Sequence, residues 1–241
     1  MTNLELSRLQ NMIGAEGVER LRSSCVAVFG VGGVGGYVVE ALARSGIGHI
    51  VLCDSDCVEE SNLNRQIVAL HSTLGKSKVE VAKTRILDIN PDCQVTVHPV
   101  FYGPDTESRF DFSVYTYVVD AVDTMSAKLS IVERAKTAGI PVISSMGAGN
   151  KVDATAFRVA DIFKTKVDPL ARIMRRELKA RGIDSLKCVY SEELPRKAVE
   201  EGGKPIDGKH WVSGSNAWVP SVAGLIIAGE VIMDLAQVTS N

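Results

Sequence analysis

Between residues 25 and 145, short apolar runs alternate with longer stretches in which apolar positions recur every three or four residues. The runs at 25–29, 49–53, 95–97, 115–119 and 141–145 have the length of buried strands. The stretches at 34–45, 76–89 and 125–138 have helical spacing, with Ser45-Gly46 and Asn90-Pro91 as stop signals. Strand and helix alternating at this spacing predict right-handed crossovers. The expected fold is therefore α/β: a doubly wound, largely parallel Rossmann-like sheet with helices on both faces.

Outside that stretch the rhythm differs. Residues 3–23 carry Leu4, Leu6, Leu9, Met12, Ile13, Val18 and Leu21 at helical spacing, broken at Gly14 and Gly17, which predicts two short helices. After Gly147, residues 156–159 read as a strand leaving the parallel order. Asp168-Pro169 opens a helix with Leu170, Ile173, Met174 and Leu178 as its apolar stripe. Residues 195–211 hold three glycines and two prolines among many charges, the composition of an exposed, mobile loop. Residues 216–236 return to helix. The part from Val219 to Ala236 is apolar enough to suggest a membrane span, but it contains Glu230 and Asp234. An acid near a bilayer centre costs about 2.5–3.5 kcal/mol, so a core helix is the better reading. The expected organisation is one domain, with a core over 8–150, a substrate-facing addition over 151–218 and a closing helix over 219–238.

Composition narrows the class only slightly. With 241 residues and a formal charge of −2, the chain is neither disordered in composition nor a polyanion binder by net charge. The charge is uneven, however. From Lys164 to Lys187 eight basic and three acidic residues give a local +5. Within this segment Arg172, Arg175, Arg176 and Lys179 recur at i, i+3, i+4 and i+7, one face of a helix. The N-terminus carries Glu5 and Arg8 and no apolar core of signal-peptide length, which points to the cytoplasm. Cys25, Cys53, Cys57, Cys93 and Cys188 form no C-x-x-C pair, so no zinc site is expected, and reduced thiols fit an odd count.

The candidate chemistry starts at the first strand's end. Gly30, Gly32 and Gly35 form G-x-G-x-x-G, with Gly33 between them. Such glycines allow a tight turn and a close backbone approach to phosphate, and the next helix offers its free N–H groups to an anion. Asp54 follows at the second strand's end, placed to bind ribose hydroxyls. Asn62, Arg65, Lys78 and Asp123 sit at other strand ends and loops that converge on the same crevice. Arg65 and Lys78 suit phosphate oxygens, and Asp123 suits magnesium, which takes one or two carboxylates plus phosphates. Each also has a plain structural reading: a solvated helix face for Lys78, a helix cap for Asp123, a surface pair for Arg65.

Taken together, Gly30-Val-Gly-Gly-Val-Gly35, Asp54-Ser-Asp56, Ser61-Asn-Leu-Asn-Arg-Gln66, Gly75-Lys-Ser-Lys78, Ile89-Asn-Pro91 and Asp120-Ala-Val-Asp123 resemble the ThiF/MoeB superfamily of ubiquitin-activating-like adenylating enzymes. The resemblance implies ATP as cofactor, with Asn62, Arg65 and Lys78 on its phosphates, Asp54 and Asp56 in the binding loop, and Asp123 on magnesium. It further implies a homodimer in which an N-terminal arginine, here Arg8, reaches the partner's ATP. The second half, through Gly147-Ala-Gly, the stretch 161–171 and Cys188-Val-Tyr-Ser-Glu192, resembles that superfamily's tRNA threonylcarbamoyladenosine dehydratases. This implies tRNA carrying threonylcarbamoyladenosine as substrate, bound on the Arg172, Arg175, Arg176 and Lys179 face with help from Arg196, Lys197, Lys204 and Lys209. A monovalent cation and a sulfur-transfer protein partner are further implied. Cys188 reads equally as a core thiol or a reactive one. The alternative function is an adenylating activator of a ubiquitin-like sulfur carrier, although its usual zinc C-x-x-C pairs are lacking.

Overall fold

A computed structural model describes residues 1–196 and 213–238. Among these residues, seven strands form one sheet: β1 (Cys25–Phe29), β2 (His49–Cys53), β3 (Gln94–His98), β4 (Tyr117–Asp120), β5 (Val142–Ser145), β6 (Phe157–Asp161) and β7 (Lys187–Ser191). Their order is β3-β2-β1-β4-β5-β7-β6, parallel throughout except for β6, which runs antiparallel to β7. The chain leaves β1 towards one edge and returns through β4 towards the other. Between them lies the crevice where open α/β sheets bind ligands.

Alternation along each strand splits the core in two. Val26 and Val28 of β1 face one layer, shared with α1 (Ser7–Arg22), α2 (Gly35–Arg44), α3 (Lys78–Ile89) and α6 (Val219–Ala236). Ala27 and Phe29 face the other, shared with α4 (Met125–Thr137) and α5 (Pro169–Ala180). Both faces are buried, so the central strands read as continuous apolar runs.

Helix α6 is long and apolar enough to cross a membrane, but half of it is buried inside this fold. Val219, Ala223, Ile227 and Val231 lie in the core. Gly224 is required at its crossing, because a Cβ there would stand 2.3 Å from the Val34 carbonyl oxygen. Its two acids tie it to the sheet: Asp234 accepts from the Tyr117 hydroxyl at 2.7 Å, and Lys187 donates to Glu230 at 2.9 Å and to Asp234 at 2.7 Å.

Several expectations need correcting. The N-terminal segment is two helical pieces that meet at Gly14, where the backbone leaves the helix (φ 76°, ψ 168°), as expected, but the second expected break, at Gly17, is absent: that glycine is buried within the second piece. Helix α3 begins at Lys78, two residues late, because Cys57 and Ser77 form an antiparallel bridge and Val58 N–H donates to the Lys76 carbonyl. Asp120 lies inside β4 and is fully buried. Ile173 is exposed; the buried stripe of α5 is Ala171, Met174 and Leu178, and Asp168 caps the helix by accepting from Ala171 N–H at 2.9 Å. Strand β7 has no counterpart in the expected elements: it is as long as β1, but its five residues open on Lys187 and close on Ser191, too polar at the ends to announce a buried strand. Most of the late loop, with Lys197, Lys204 and Lys209, lies outside the described residues.

Candidate active site

The carboxyl ends of β1, β2 and β4 open into a pocket of about 520 Å³, a size typical of small-molecule sites. Gly30, Gly32, Gly33, Asp54, Asp56, Asn62, Arg65, Lys78 and Asp123 all line it. Residues scattered over about 90 positions of the chain thus meet because their strands end side by side. Gly35 lies just behind, in the first turn of α2. A Cβ at Gly35 would come within 1.8 Å of the Gly30 carbonyl oxygen, so the turn closes only with glycine there.

The second strand's terminal acid serves the glycine loop directly. Asp54 accepts from Val31 N–H at 2.7 Å through one oxygen and from Asp56 N–H at 2.9 Å through the other. A carboxylate has about four acceptor positions, so hydroxyls of a ligand still find room. Lys78, at the first position of α3, is only 5% exposed and is held at 2.8 Å by Asp56. Asp56 thus lines the pocket and also pairs with the lysine. Arg65 donates to the Ser61 carbonyl at 2.7 Å and to Asn64 Oδ1 at 3.0 Å, and among the described residues it has no carboxylate partner. Asn62 is buried in a 3₁₀ turn, where its Oδ1 accepts from Glu59 N–H at 3.2 Å.

Asp123 stands exposed at the pocket edge and, among the described residues, receives only the Thr124 hydroxyl, at 3.3 Å. It does not cap α4, whose N-cap is Thr124 with no side-chain hydrogen bond. Among the described residues three carboxylates line the pocket: Asp54 accepts from backbone N–H groups, Asp56 pairs with Lys78, and Asp123 has neither a backbone donor nor a cation partner.

Other expected residues lie elsewhere. Arg8 is exposed on α1 and does not line the pocket. Arg172, Arg175, Arg176 and Lys179 all sit on α5, also away from it. Arg172 and Lys179 are exposed, Arg176 pairs with Glu177 at 2.8 Å, and Arg175 is half-buried and donates to the Thr165 carbonyl at 3.1 Å. Cys188 is fully buried, and burial, with Asp161 and Asp168 nearby, pushes its thiol up to about 12. That is a packing thiol, not a nucleophile.

Three features of the pocket escaped the sequence. Gln66 is buried with its Oε1 unpartnered among the described residues, although it closes the Ser61–Gln66 motif and could have been found there. Phe101, 55% exposed, and Ser213-Gly-Ser215 complete the walls. No local pattern marks these last residues, which arrive by tertiary contact.

The model of the ThiF family matches residues 6–240, nearly the whole chain. The chain belongs to the ThiF family. Among ThiF relatives, the tRNA threonylcarbamoyladenosine dehydratase of Bacillus subtilis is 47% identical over 242 residues, covering 97% of this chain and 95% of the relative. The Escherichia coli dehydratase TcdA, solved in complex with AMP, superposes with a TM-score of 0.88 at 32% identity, covering 98% of this chain and 95% of that one. Its complex with ATP gives a TM-score of 0.84 at 33% identity over 99% and 97%.

Proposed function

We propose that this ThiF-family chain is an ATP-dependent tRNA threonylcarbamoyladenosine dehydratase that closes the modified nucleoside through an acyl adenylate. The observation that carries the reading is the convergence of Asp54, Arg65, Lys78 and Asp123 on one pocket in a chain similar along nearly its full length to such a dehydratase. Asp54 holds ribose, the glycine loop with Asn62, Arg65 and Lys78 holds the phosphates, and Asp123 holds magnesium. The donor set fits that ion. Among the described residues no three His, Cys, Asp or Glu side chains form a ready-made metal cage, and a single free carboxylate is what magnesium shared with phosphates usually takes. When bound, magnesium supplies neutralisation of phosphate charge.

The chemistry asks little more of the protein. A carboxylate is a poor acyl donor because its leaving group would be oxide. The threonyl carboxylate attacks the α-phosphorus of ATP and expels pyrophosphate, making AMP the leaving group. The urea nitrogen of the same nucleoside then attacks the acyl carbon, AMP departs, and the substrate has lost one water overall. Lys78 and Arg65 stabilise charge on the phosphoryl oxygens during the first step. The second step is intramolecular, so proximity replaces an enzyme nucleophile, in keeping with the buried Cys188.

The exposed cations of α5 supply the tRNA-facing surface, the protein works in the cytoplasm as a homodimer, and Arg8 reaches the partner's nucleotide. Threonylcarbamoyladenosine-containing tRNA, incubated with the chain and magnesium-ATP, should release AMP and pyrophosphate in equal amounts. Release that needs a carrier protein's C-terminal glycine and ignores tRNA would refute the reading in favour of a sulfur-carrier activator.

A further inference from the structure

Lys128, in the first turn of α4, is fully buried and does not line the pocket. It lies 2.9 Å from Asp120 Oδ2 and donates to the Val122 carbonyl at 3.0 Å. Asp120 is fully buried as well, and accepts from the Ser144 hydroxyl on β5 and from Val122 N–H at 3.3 Å. These four groups close the turn Asp120–Val122, and the next residue is Asp123.

Stability alone does not account for such a pair. Desolvating two ions costs about what their attraction returns, so an apolar pair of similar volume would serve the core as well. What an apolar pair lacks is a donor for the Val122 carbonyl. The molecule contains a second pair of the same construction: Lys151 and Asp168, both buried, lie 3.0 Å apart, and Lys151 donates to the Gly147 carbonyl at 2.6 Å. Each lysine bridges a buried acid and a backbone carbonyl beside a pocket wall, but only Lys128 acts on the turn that ends in Asp123.

We infer that Lys128 is a positioning residue, whose grip on Asp120 and the Val122 carbonyl sets the turn that presents Asp123 to the phosphate-bound metal. This rests on the metal role proposed above for Asp123. Outer partners that orient a metal ligand are worth about 10–100-fold in metal affinity.

The test uses the full chain with a non-hydrolysable ATP analogue and manganese, whose free ion is counted by electron paramagnetic resonance. Lys128→Met alone strands a buried carboxylate, so the double variant Asp120→Asn with Lys128→Met removes both charges and keeps the fold testable by thermal melting. Its manganese affinity should fall about 10–100-fold, with a smaller change in analogue affinity measured in chelator. The matched double variant Lys151→Met with Asp168→Asn should keep wild-type manganese affinity. Wild-type affinity in the 120/128 variant beside a loss in Asp123→Ala, or equal losses in both double variants, would overturn the inference alone. Equal affinity of wild type and Asp123→Ala would overturn the metal role of Asp123 and the inference with it.

Discussion

The pocket and the outer face of α5 both offer a cluster of cations, and they are built in opposite ways. Lys78 is nearly buried and fixed by one acid, and Arg65 is half-buried and braced by the backbone of its own turn. Arg172 and Lys179 are exposed, and among the described residues Arg176 pairs only with its sequence neighbour, Glu177. Fixed charges in a concave, partly dry site act at short range and need no reorganisation when charge develops on a phosphoryl group. Exposed charges on an outer helix face act at long range, are screened by salt and attract a polyanion without choosing an atom of it. Charge count alone does not separate the two; burial and anchoring do.

The sharpest way to break this contrast is to remove fixed groups. Lys78→Met and Asp123→Ala should each lower adenylation by about 10²–10³-fold, with melting temperature nearly kept for Asp123→Ala because its side chain is exposed. Retained pyrophosphate release in either variant would show that the pocket cations and acid are ordinary surface groups. A smaller effect is expected on the other side. Reversing Arg172, Arg176 and Lys179 to Glu should raise the KM for tRNA about tenfold and flatten the logarithmic salt dependence by about two to three, roughly 0.7–0.9 per lost phosphate contact. The KM for ATP should not move. An unchanged salt slope would remove α5 from the tRNA surface.

Arg175 separates the two kinds of charge within one helix. It shares the face by sequence spacing, but its guanidinium serves the Thr165 carbonyl. Arg175→Ala should therefore cost about 1–3 kcal/mol in denaturant unfolding while changing tRNA affinity less than Arg172→Ala does. The reverse ranking would mean that the exposed and anchored arginines are equivalent.

The smallest effect concerns how the pocket side is held. Glu40 on α2 bridges to Arg85 on α3, at 2.6 Å, and to Arg44, joining the helix behind the glycine loop to the helix that carries Lys78. Burial raises its carboxyl, but the hydrogen bonds from Arg85 and Arg44 outweigh it and hold the group below the usual range. The contribution is present above the unfolded value of 4.5 and is lost as pH falls through the lower folded value. Glu40→Gln should cost about 1 kcal/mol or less at neutral pH and flatten the acid limb of the stability curve. A parallel downward shift at all pH values would contradict the ion-pair account.

Much of the pocket side was legible because local rules and function agree there. A buried parallel strand must be apolar and short, its turn must be glycine, and the acid at the next strand's end must face the same crevice, so β1, Gly30 and Asp54 were readable from spacing. The family motif supplied Arg65, Lys78 and Asp123, and topology explains why they meet. Beyond Gly147 the rules thin out. Strand β7 has polar residues at both ends where β1 is apolar throughout, Ile173 fits a helical stripe but faces solvent, and the Lys128–Asp120 and Lys151–Asp168 pairs join residues whose partners no local pattern names. Lysine on a helix reads as solvated from sequence; only the packed structure shows Lys128 sealed beneath the pocket.

The most direct test is mass analysis of the nucleosides of tRNA carrying threonylcarbamoyladenosine, after incubation with the chain, ATP and magnesium. The account predicts a modified nucleoside lighter by one water, formed with wild type and not with Asp123→Ala. A nucleoside of unchanged mass, in a preparation that still releases pyrophosphate, would contradict it.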